Sequence, residues 1–170
     1  SVQGESASGG PRGSGGKGTS KLSPKPPEAV RAAIGLAGEL LAYQYLKHKH
    51  RIRFSDQCWV SENRTSLFPE SGDFSLGYDF RVNTVETEWL YEVKATPGDA
   101  YEFELTDNEY RVAISAQADH SRRYRILFVQ YAFDPGRCRI LELPNPAAEA
   151  GKSRFRIVGR SSQRMRFELG

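Results

Sequence analysis

The sequence predicts an α/β fold whose elements run in the order helix, three or four strands, helix and further strands. Three observations lead to this prediction. Apolar residues after Pro27 recur at helical spacing, residues 77–95 alternate as two strands do, and an S/T-x-x-E capping box opens a second helix at Thr106. The residues after Pro27 suffice for one hydrophobic core, so a single domain is expected over 28–170.

The first 27 residues are expected to form a flexible linker or tail. Gly, Ser and Pro dominate this stretch, which ends in Pro24-Lys25-Pro26-Pro27. Such a composition buries too little surface to offset the entropy cost of ordering the chain. The segment would tether the domain to an upstream partner.

The remaining elements follow from local periodicity. Apolar residues between Val30 and Tyr45 recur every three or four positions and predict the first helix. The second helix is expected to run from the capping box to about residue 118. The predicted strands are 57–60, 77–83, 88–95, 101–105, 124–131 and 138–143, with two short Arg-rich strands within 153–168.

The hairpin of the second and third predicted strands places two carboxylates opposite each other. A turn centred on Val85 and Glu86 pairs every apolar residue of one strand with an apolar residue of the other. The same register sets Asp79 across from Glu92, with Cβ atoms about 5 Å apart, and puts Lys94 on the same face. Like charges at that distance destabilise a sheet, so a positive charge is expected between them.

A divalent cation such as Mg²⁺ or Mn²⁺ would fit between Asp79 and Glu92. Two carboxylates, a backbone carbonyl and waters provide the octahedral oxygen shell that Mg²⁺ prefers. Lys94 could then hold, or help deprotonate, a water that attacks a phosphodiester. The alternative is a salt-bridged surface on which Lys94 neutralises one carboxylate and nothing binds.

Glu39 is the only charged residue in the apolar segment 32–46, so it is expected to be buried. An unpaired buried carboxylate is costly and needs a metal, a cation or a water network. Two alternatives are that Lys94 is its structural partner and that it lies at a solvent gap in the helix surface. Gly35 and Gly38 beside it would let the helix approach another backbone closely.

Four motifs follow one another between residues 34 and 129. They are Gly35-Leu36-Ala37-Gly38-Glu39, Gly77-Tyr78-Asp79-Phe80, Glu92-Val93-Lys94-Ala95-Thr96 and Phe103-Glu104-Leu105-Thr106-Asp107-Asn108-Glu109. In this order they resemble the NO VEIN C-terminal domain family. That family is similar to the PD-(D/E)XK nuclease superfamily, near its Mrr-like restriction and Holliday-junction resolvase-like enzymes. Tyr78 stands where the superfamily's name has proline.

The resemblance implies a restriction-endonuclease-like αβββαβ core, with a mixed central sheet flanked by helices and extra C-terminal strands. It implies that Asp79 and Glu92 bind Mg²⁺ or Mn²⁺ and that Lys94 is the catalytic lysine. Glu39 would be an accessory helix carboxylate, and Thr96 a further polar residue near the site.

The function that the resemblance implies is metal-dependent hydrolysis of nucleic acid, with DNA as the expected substrate. Members of the family are often appended to ATPase or helicase-like regions, including those of bacterial defence systems, so an upstream domain of this kind is an expected partner. A homodimer would be needed for paired strand cuts. The alternative is a catalytically inactive module on the same fold that binds nucleic acid or docks a protein.

Acidic and basic side chains are segregated along the folding region. Residues 70–109 hold two basic and eleven acidic residues, and 110–170 hold twelve basic and five acidic ones. An acidic centre can collect a divalent cation, and a basic stretch suits phosphates. The candidate phosphate contacts are Arg122, Arg123, Arg154 and Arg156. Solvated charges on edge strands are the alternative for these arginines.

A second basic cluster, 47–51, follows the first helix and contains His48 and His50. We interpret it as a complement to the helix dipole rather than a metal site. Cys58 and Cys138 lie 80 positions apart and make neither a disulfide scaffold nor a zinc site, which favours an intracellular location in cytoplasm or nucleus. No apolar stretch is long enough for a bilayer span, so no membrane partner is expected.

Overall fold

The computed structural model describes residues 25–158 and 163–169, so most of the predicted linker, 1–24, lies outside the described residues. Within them the helices are α1 (Glu28–His50), α2 (Asp107–Ala118) and α3 (Glu149–Lys152). The strands are β1 (Phe80–Asn83), β2 (Glu88–Ala95), β3 (Glu102–Leu105), β4 (Arg122–Gln130), β5 (Arg139–Leu143), β6 (Phe155–Ile157) and β7 (Gln163–Phe167). The predicted mixed α/β fold is confirmed. None of the described helices is both long and apolar enough to cross a membrane.

A mixed central sheet carries the strands in the order β1, β2, β4, β5. β2 pairs antiparallel with β1 and parallel with β4, and β5 pairs antiparallel with β4. The connection from β2 to the parallel β4 runs through α2, which returns along the sheet. The N-terminus of α2 therefore lies near the end of β2 that carries Lys94.

A second, smaller sheet contains β3, β7 and β6 in that order. β3 follows β2 in the chain but does not belong to the central sheet. It pairs with β7, and β7 pairs with β6, so the two Arg-rich C-terminal strands complete this sheet. The antiparallel register of β3 and β7 sets Glu102 opposite Arg166 and Glu104 opposite Arg164, and both pairs form ion pairs. Cross-strand pairs of opposite charge stabilise such a ladder, which explains the concentration of arginine here.

The central sheet separates two hydrophobic clusters. On the α1 face the buried residues include Ala42, Tyr43, Leu46, Phe80, Val82, Tyr91 and Leu127. On the other face they include Leu90, Phe103, Ala113, Ala116, Tyr124, Ile126, Phe128 and Phe167, from the central sheet, α2 and the second sheet. Glu92 and Lys94 alternate with the α1-facing residues of β2, so they belong to the α2 face.

The predicted strand at 57–60 is wrong. Asp56–Cys58 form a 3₁₀ turn, closed by the Cys58 N–H donating to the Ser55 carbonyl at 2.9 Å, and Trp59 alone forms a bridge, to Phe80. Trp59 is fully buried in the α1-face cluster. Its apolar character reflects packing under α1 rather than strand pairing, a distinction that a four-residue pattern cannot make.

The two glycines of α1 are expected to respond oppositely to alanine. A Cβ on Gly38 would lie 2.5 Å from the Cβ of Ala95, because α1 crosses β2 closely there, whereas nothing lies within 4 Å of a Cβ on Gly35. Gly38→Ala should destabilise the fold by about 2 kcal/mol through overpacking. Gly35→Ala should stabilise it by up to about 1 kcal/mol through helix propensity. Urea unfolding of both variants checks this, and equal shifts of one sign would contradict the close approach.

Candidate functional site

The hairpin that carries the predicted site has the register expected from the sequence. Phe80 pairs with Tyr91, and Val82 with Trp89. Asp79 lies immediately before β1, where its N–H donates to the Tyr91 carbonyl at 2.8 Å. Its Oδ2 accepts a hydrogen bond from the N–H of Val93 at 2.7 Å. The Asp79 carboxylate is therefore fixed against the backbone of β2 beside Glu92.

A tight turn before Asp79 is anchored on α2. Gly77 has a φ of 76°, and a Cβ there would lie 2.9 Å from Val112 Cγ2. The Asn108 side-chain amide donates to the Ser75 carbonyl at 2.6 Å. Glycine is required both by the positive φ and by this close approach. The turn thus sets the point at which the chain enters the hairpin, and with it the position of Asp79.

Lys94 is held between two carboxylates. Its Nζ lies 2.8 Å from Glu92 Oε1 and 2.7 Å from Glu109 Oε2, and its side chain is 17% exposed. Burial opposes the charge of the ammonium group, but Glu92 and Glu109 outweigh burial and raise the pKa of Lys94. Lys94 is therefore a fixed positive charge in this arrangement.

Glu109 connects this lysine to the start of α2. Its Oε2 accepts both the Lys94 ammonium and the backbone N–H of Thr106, the latter at 3.0 Å. In the sequence, Glu109 belongs to the capping box and to the fourth motif, and it is not predicted to be a site residue. The missing signal was the parallel pairing of β2 with β4, since a helix that connects parallel strands begins where the first strand ends.

Glu39 is buried and saturated by neutral donors. The Trp59 indole N–H donates to Glu39 Oε2 at 2.7 Å, the Ser61 hydroxyl donates to the same oxygen, and the Asn63 amide donates to Oε1. Burial raises the pKa of Glu39, although these hydrogen bonds oppose the rise. The Ser61 N–H also donates to the Asp79 carbonyl at 3.3 Å, so the loop that binds Glu39 also contacts the backbone of Asp79.

These residues meet at a cleft of about 610 Å³. Its lining includes Glu39, Ser61, Asn63, Phe74, Gly77, Tyr78, Asp79, Glu92, Thr106, Asn108 and Glu109. Lys94 lies beside this lining through its ion pairs with Glu92 and Glu109. The predicted carboxylates and lysine are therefore brought together, although Glu39 and Lys94 lie 55 positions apart in the sequence.

The carboxylates of the cleft repel one another. Burial, with a contribution from Glu109, raises the pKa of Glu92 to about 7 although Lys94 opposes the rise. Burial and the charges of Glu92 and Glu39 raise the pKa of Asp79 well above its ordinary value. The single ammonium group of Lys94 does not balance these acids, so the site favours an additional positive charge or proton.

Two carboxylate oxygens remain available in the described part of the chain. Asp79 Oδ1 and Glu92 Oε2 accept no hydrogen bond from any described residue, while the other oxygen of each group is engaged by Val93 and Lys94. No group of three or more His, Cys, Asp or Glu among the described residues is arranged to hold a metal ion.

The other predicted site residues lie outside the cleft lining. Thr96 follows β2, and its hydroxyl accepts a long hydrogen bond, 3.4 Å, from the Gly98 N–H. Arg122 pairs with Glu88 at 2.7 Å, at the opposite end of β2 from Lys94.

The remaining arginines also lie apart from Lys94. Arg123 donates to the backbone carbonyls of His120 and Arg122. Arg154 donates to the Glu168 carbonyl at 3.2 Å, and Arg156 pairs with the Glu168 side chain at 3.6 Å, both beside the second sheet. The four arginines that the sequence suggested as phosphate contacts therefore do not converge on the carboxylates.

Comparison with known proteins identifies one family. Its sequence profile, described as "Protein NO VEIN, C-terminal", matches residues 38–141. No curated protein and no solved structure matches the chain significantly. The matched segment begins one residue before Glu39 and ends within β5, so it contains Asp79, Glu92, Lys94 and Glu109.

Proposed function

This chain belongs to the NO VEIN C-terminal domain family, and from that premise we propose that it is a metal-dependent nuclease domain that hydrolyses phosphodiester bonds, with DNA as its substrate. The observation that carries the proposal is the convergence of Asp79, Glu92 and Lys94 at one cleft. The succession of α1, hairpin, α2 and parallel β4 supports a relationship to the PD-(D/E)XK superfamily.

The residues present fit Mg²⁺ or Mn²⁺. Mg²⁺ usually takes one or two protein carboxylates and completes its shell with waters and substrate phosphate oxygens. Asp79 Oδ1 and Glu92 Oε2 would hold the ion, since both oxygens lack partners among the described residues and both side chains line the cleft. When bound, the ion would stabilise charge on the phosphoryl group and lower the pKa of a water.

Lys94 would act as a donor and not as a base. With its Nζ within 2.8 Å of two carboxylates, it remains an ammonium group. It can donate a hydrogen bond to the attacking water or to a phosphoryl oxygen as negative charge develops there. Of the two roles that the sequence left open, holding the water is therefore favoured over deprotonating it.

Glu109 and Glu39 would act as positioning residues. Glu109 holds the Lys94 ammonium from the α2 side, at 2.7 Å. Glu39 orders Ser61 and Asn63, which line the cleft, and the Ser61 N–H contacts the Asp79 carbonyl. Each contact restricts where Asp79 and Lys94 can lie, which is the condition for rate enhancement by orientation.

The test is cleavage of supercoiled plasmid and labelled single-stranded DNA, with Mg²⁺ or Mn²⁺ and with EDTA. Wild type should cleave in metal only, and Lys94→Ala should be about 10³-fold slower because one charge-stabilising donor is lost. Equal residual cleavage by both proteins would exclude the catalytic assignment. DNA binding in EDTA without cleavage in metal would instead favour the inactive nucleic-acid-binding module.

A further inference from the structure

The protein surface outside the cleft lining carries six basic side chains from two parts of the fold that meet at Glu142. Four come from the end of α1 and from the 3₁₀ turn after it (Arg51–Arg53), and two come from the start of β4. We call this surface the basic patch, and its members are Lys47, Lys49, Arg51, Arg53, Arg123 and Arg125.

Trp89 of β2 contacts one cation from each half of the basic patch. Its ring lies 5.6 Å from Lys49 Nζ and 5.6 Å from Arg125 Cζ, both at cation–π distance. Arg123 is its partner in the parallel register of β2 and β4. Glu142 forms ion pairs with both Lys49 and Arg125, so one carboxylate links α1 to β4.

The charge of the basic patch is largely uncompensated. Among the described residues, Lys47, Arg51, Arg53 and Arg123 form no ion pair, and Glu142 is the one acid that pairs with the patch. Asp56, the next acid along the chain, accepts a hydrogen bond from the Tyr43 hydroxyl at 2.5 Å. The helix dipole accounts for cations in the last turn of α1 but not for Arg53 or the arginines of β4.

The turn that presents these cations carries backbone strain. Arg51, immediately after α1, has a φ of 51° and a ψ of −119°, a conformation that residues with a Cβ rarely adopt. Ile52, next to it, is 96% exposed, so packing of its side chain does not force this geometry. Backbone strain that packing does not explain indicates a functional constraint at this position.

We propose that the basic patch binds the phosphate backbone of a nucleic acid. Clustered cations of which most lack an acidic partner are the feature that a polyanion recognises. An anionic membrane would also be attracted, but stable binding to a membrane needs a broad apolar face beside the charges. A nucleic acid needs only cations spaced along a path, which the end of α1 and the start of β4 provide.

The patch would extend substrate contact beyond the cleft, and this part of the inference rests on the proposed function. Glu39 and Lys49 are ten residues apart on α1, which corresponds to about 15 Å along the helix. At about 3.4 Å per nucleotide, a strand with one phosphate in the cleft would reach the patch about four to five nucleotides away. Substrates shorter than about five nucleotides should therefore gain nothing from the patch.

Fluorescence anisotropy in EDTA tests binding without cleavage. The probe is a labelled DNA of about twelve nucleotides, single-stranded or duplex, titrated at several salt concentrations. Lys47→Ala/Arg53→Ala should weaken binding about tenfold and reduce the slope of log K against log salt by about 1.5 to 2. The matched control is Arg31→Ala/Arg111→Ala, which removes two exposed cations without ion pairs in the described structure and should change affinity less than about twofold.

Arg51→Gly separates binding from stability. Glycine relieves the unfavourable φ, so the melting temperature should rise by about 3 °C. The loss of one cation should nevertheless weaken DNA binding about threefold. Unchanged DNA binding in both Arg51→Gly and Lys47→Ala/Arg53→Ala would overturn the proposal, as would an equal loss in the Arg31→Ala/Arg111→Ala control.

Two further outcomes distinguish this inference from the nuclease assignment and from other partners. If patch variants lose DNA binding in EDTA while wild type cleaves nothing in Mg²⁺, the inference stands and the proposed function fails. If wild type cleaves and the patch variants bind and cleave normally, the proposed function stands and the inference about the basic patch fails. Tighter binding to phosphatidylserine vesicles than to DNA would reject nucleic acid as the occupant.

Discussion

The Glu92→Gln variant should have a higher free energy of unfolding than the wild-type chain at about pH 8 without metal. Its rate of DNA cleavage in Mg²⁺ should nevertheless be about 10³-fold lower. Glu92 is 5% exposed, and the pKa of its carboxyl group is raised to about 7, mainly by burial. Keeping it ionised in the fold at high pH therefore costs up to about 3 kcal/mol, which the neutral amide avoids. The same change removes one proposed ligand of the metal.

Urea unfolding in EDTA and plasmid cleavage in Mg²⁺ measure the two effects of Glu92→Gln. Glu88→Gln is the matched control, because Glu88 lies on the same strand and face but pairs with Arg122 and does not line the cleft. It should leave cleavage nearly unchanged and should not stabilise the fold. A Glu92→Gln variant that is less stable at pH 8 would contradict the electrostatic account of the cleft.

The stability of the metal-free wild-type chain should fall as pH rises through about 7. In the fold the pKa of Glu92 is raised to about 7 and that of Asp79 is raised well above its ordinary value. A carboxyl with a raised pKa favours the folded state while it is protonated. Its contribution is complete below the pKa of the unfolded chain and is lost as pH rises through the folded pKa.

A divalent cation should reverse this loss. Mg²⁺ that binds only the folded chain adds about 2.7 kcal/mol at a hundred times its dissociation constant. Thermal melts at about pH 5.5 and 8.5, with EDTA or Mg²⁺, should therefore show a metal-induced rise at the higher pH that is small at the lower one. Asp79→Asn should lose most of that rise while retaining the Val93 hydrogen bond through its side-chain oxygen. A rise in metal-free stability with pH over this range would refute the prediction.

The hairpin shows how much of the site can be predicted from the local sequence pattern. Its register follows from pairing apolar residues with apolar residues across one turn, and a shift by one residue would move every side chain to the wrong face. That constraint is local and strong, so the pattern of the two strands is enough to place Asp79 beside Glu92 and Lys94 on the same face. The capping box likewise sets the start of α2 at Asp107, since its hydrogen bonds involve only Thr106 and Glu109.

Long-range contacts lie beyond such reasoning. The partners of Glu39 are Trp59, Ser61 and Asn63, which a sequence pattern does not connect to it because they lie on an irregular loop. The second partner of Lys94, Glu109, depends on the course of α2 between the parallel strands β2 and β4. In the sequence, Trp59 resembles part of a strand because a short apolar run has no periodicity that distinguishes a strand from an irregular buried segment.

The sequence by itself determined the mixed α/β class, the hairpin register and the residue types that could bind a divalent cation, because these follow from periodicity and from pairing between neighbouring strands. Only the tertiary structure decided that Lys94 is shared between Glu92 and Glu109 and that Glu39 is satisfied by neutral donors. It also brought Lys49 of α1 and Arg125 of β4 together around Trp89. The reason is that each of these arrangements depends on where separate elements cross, and crossing is set by packing of the whole core.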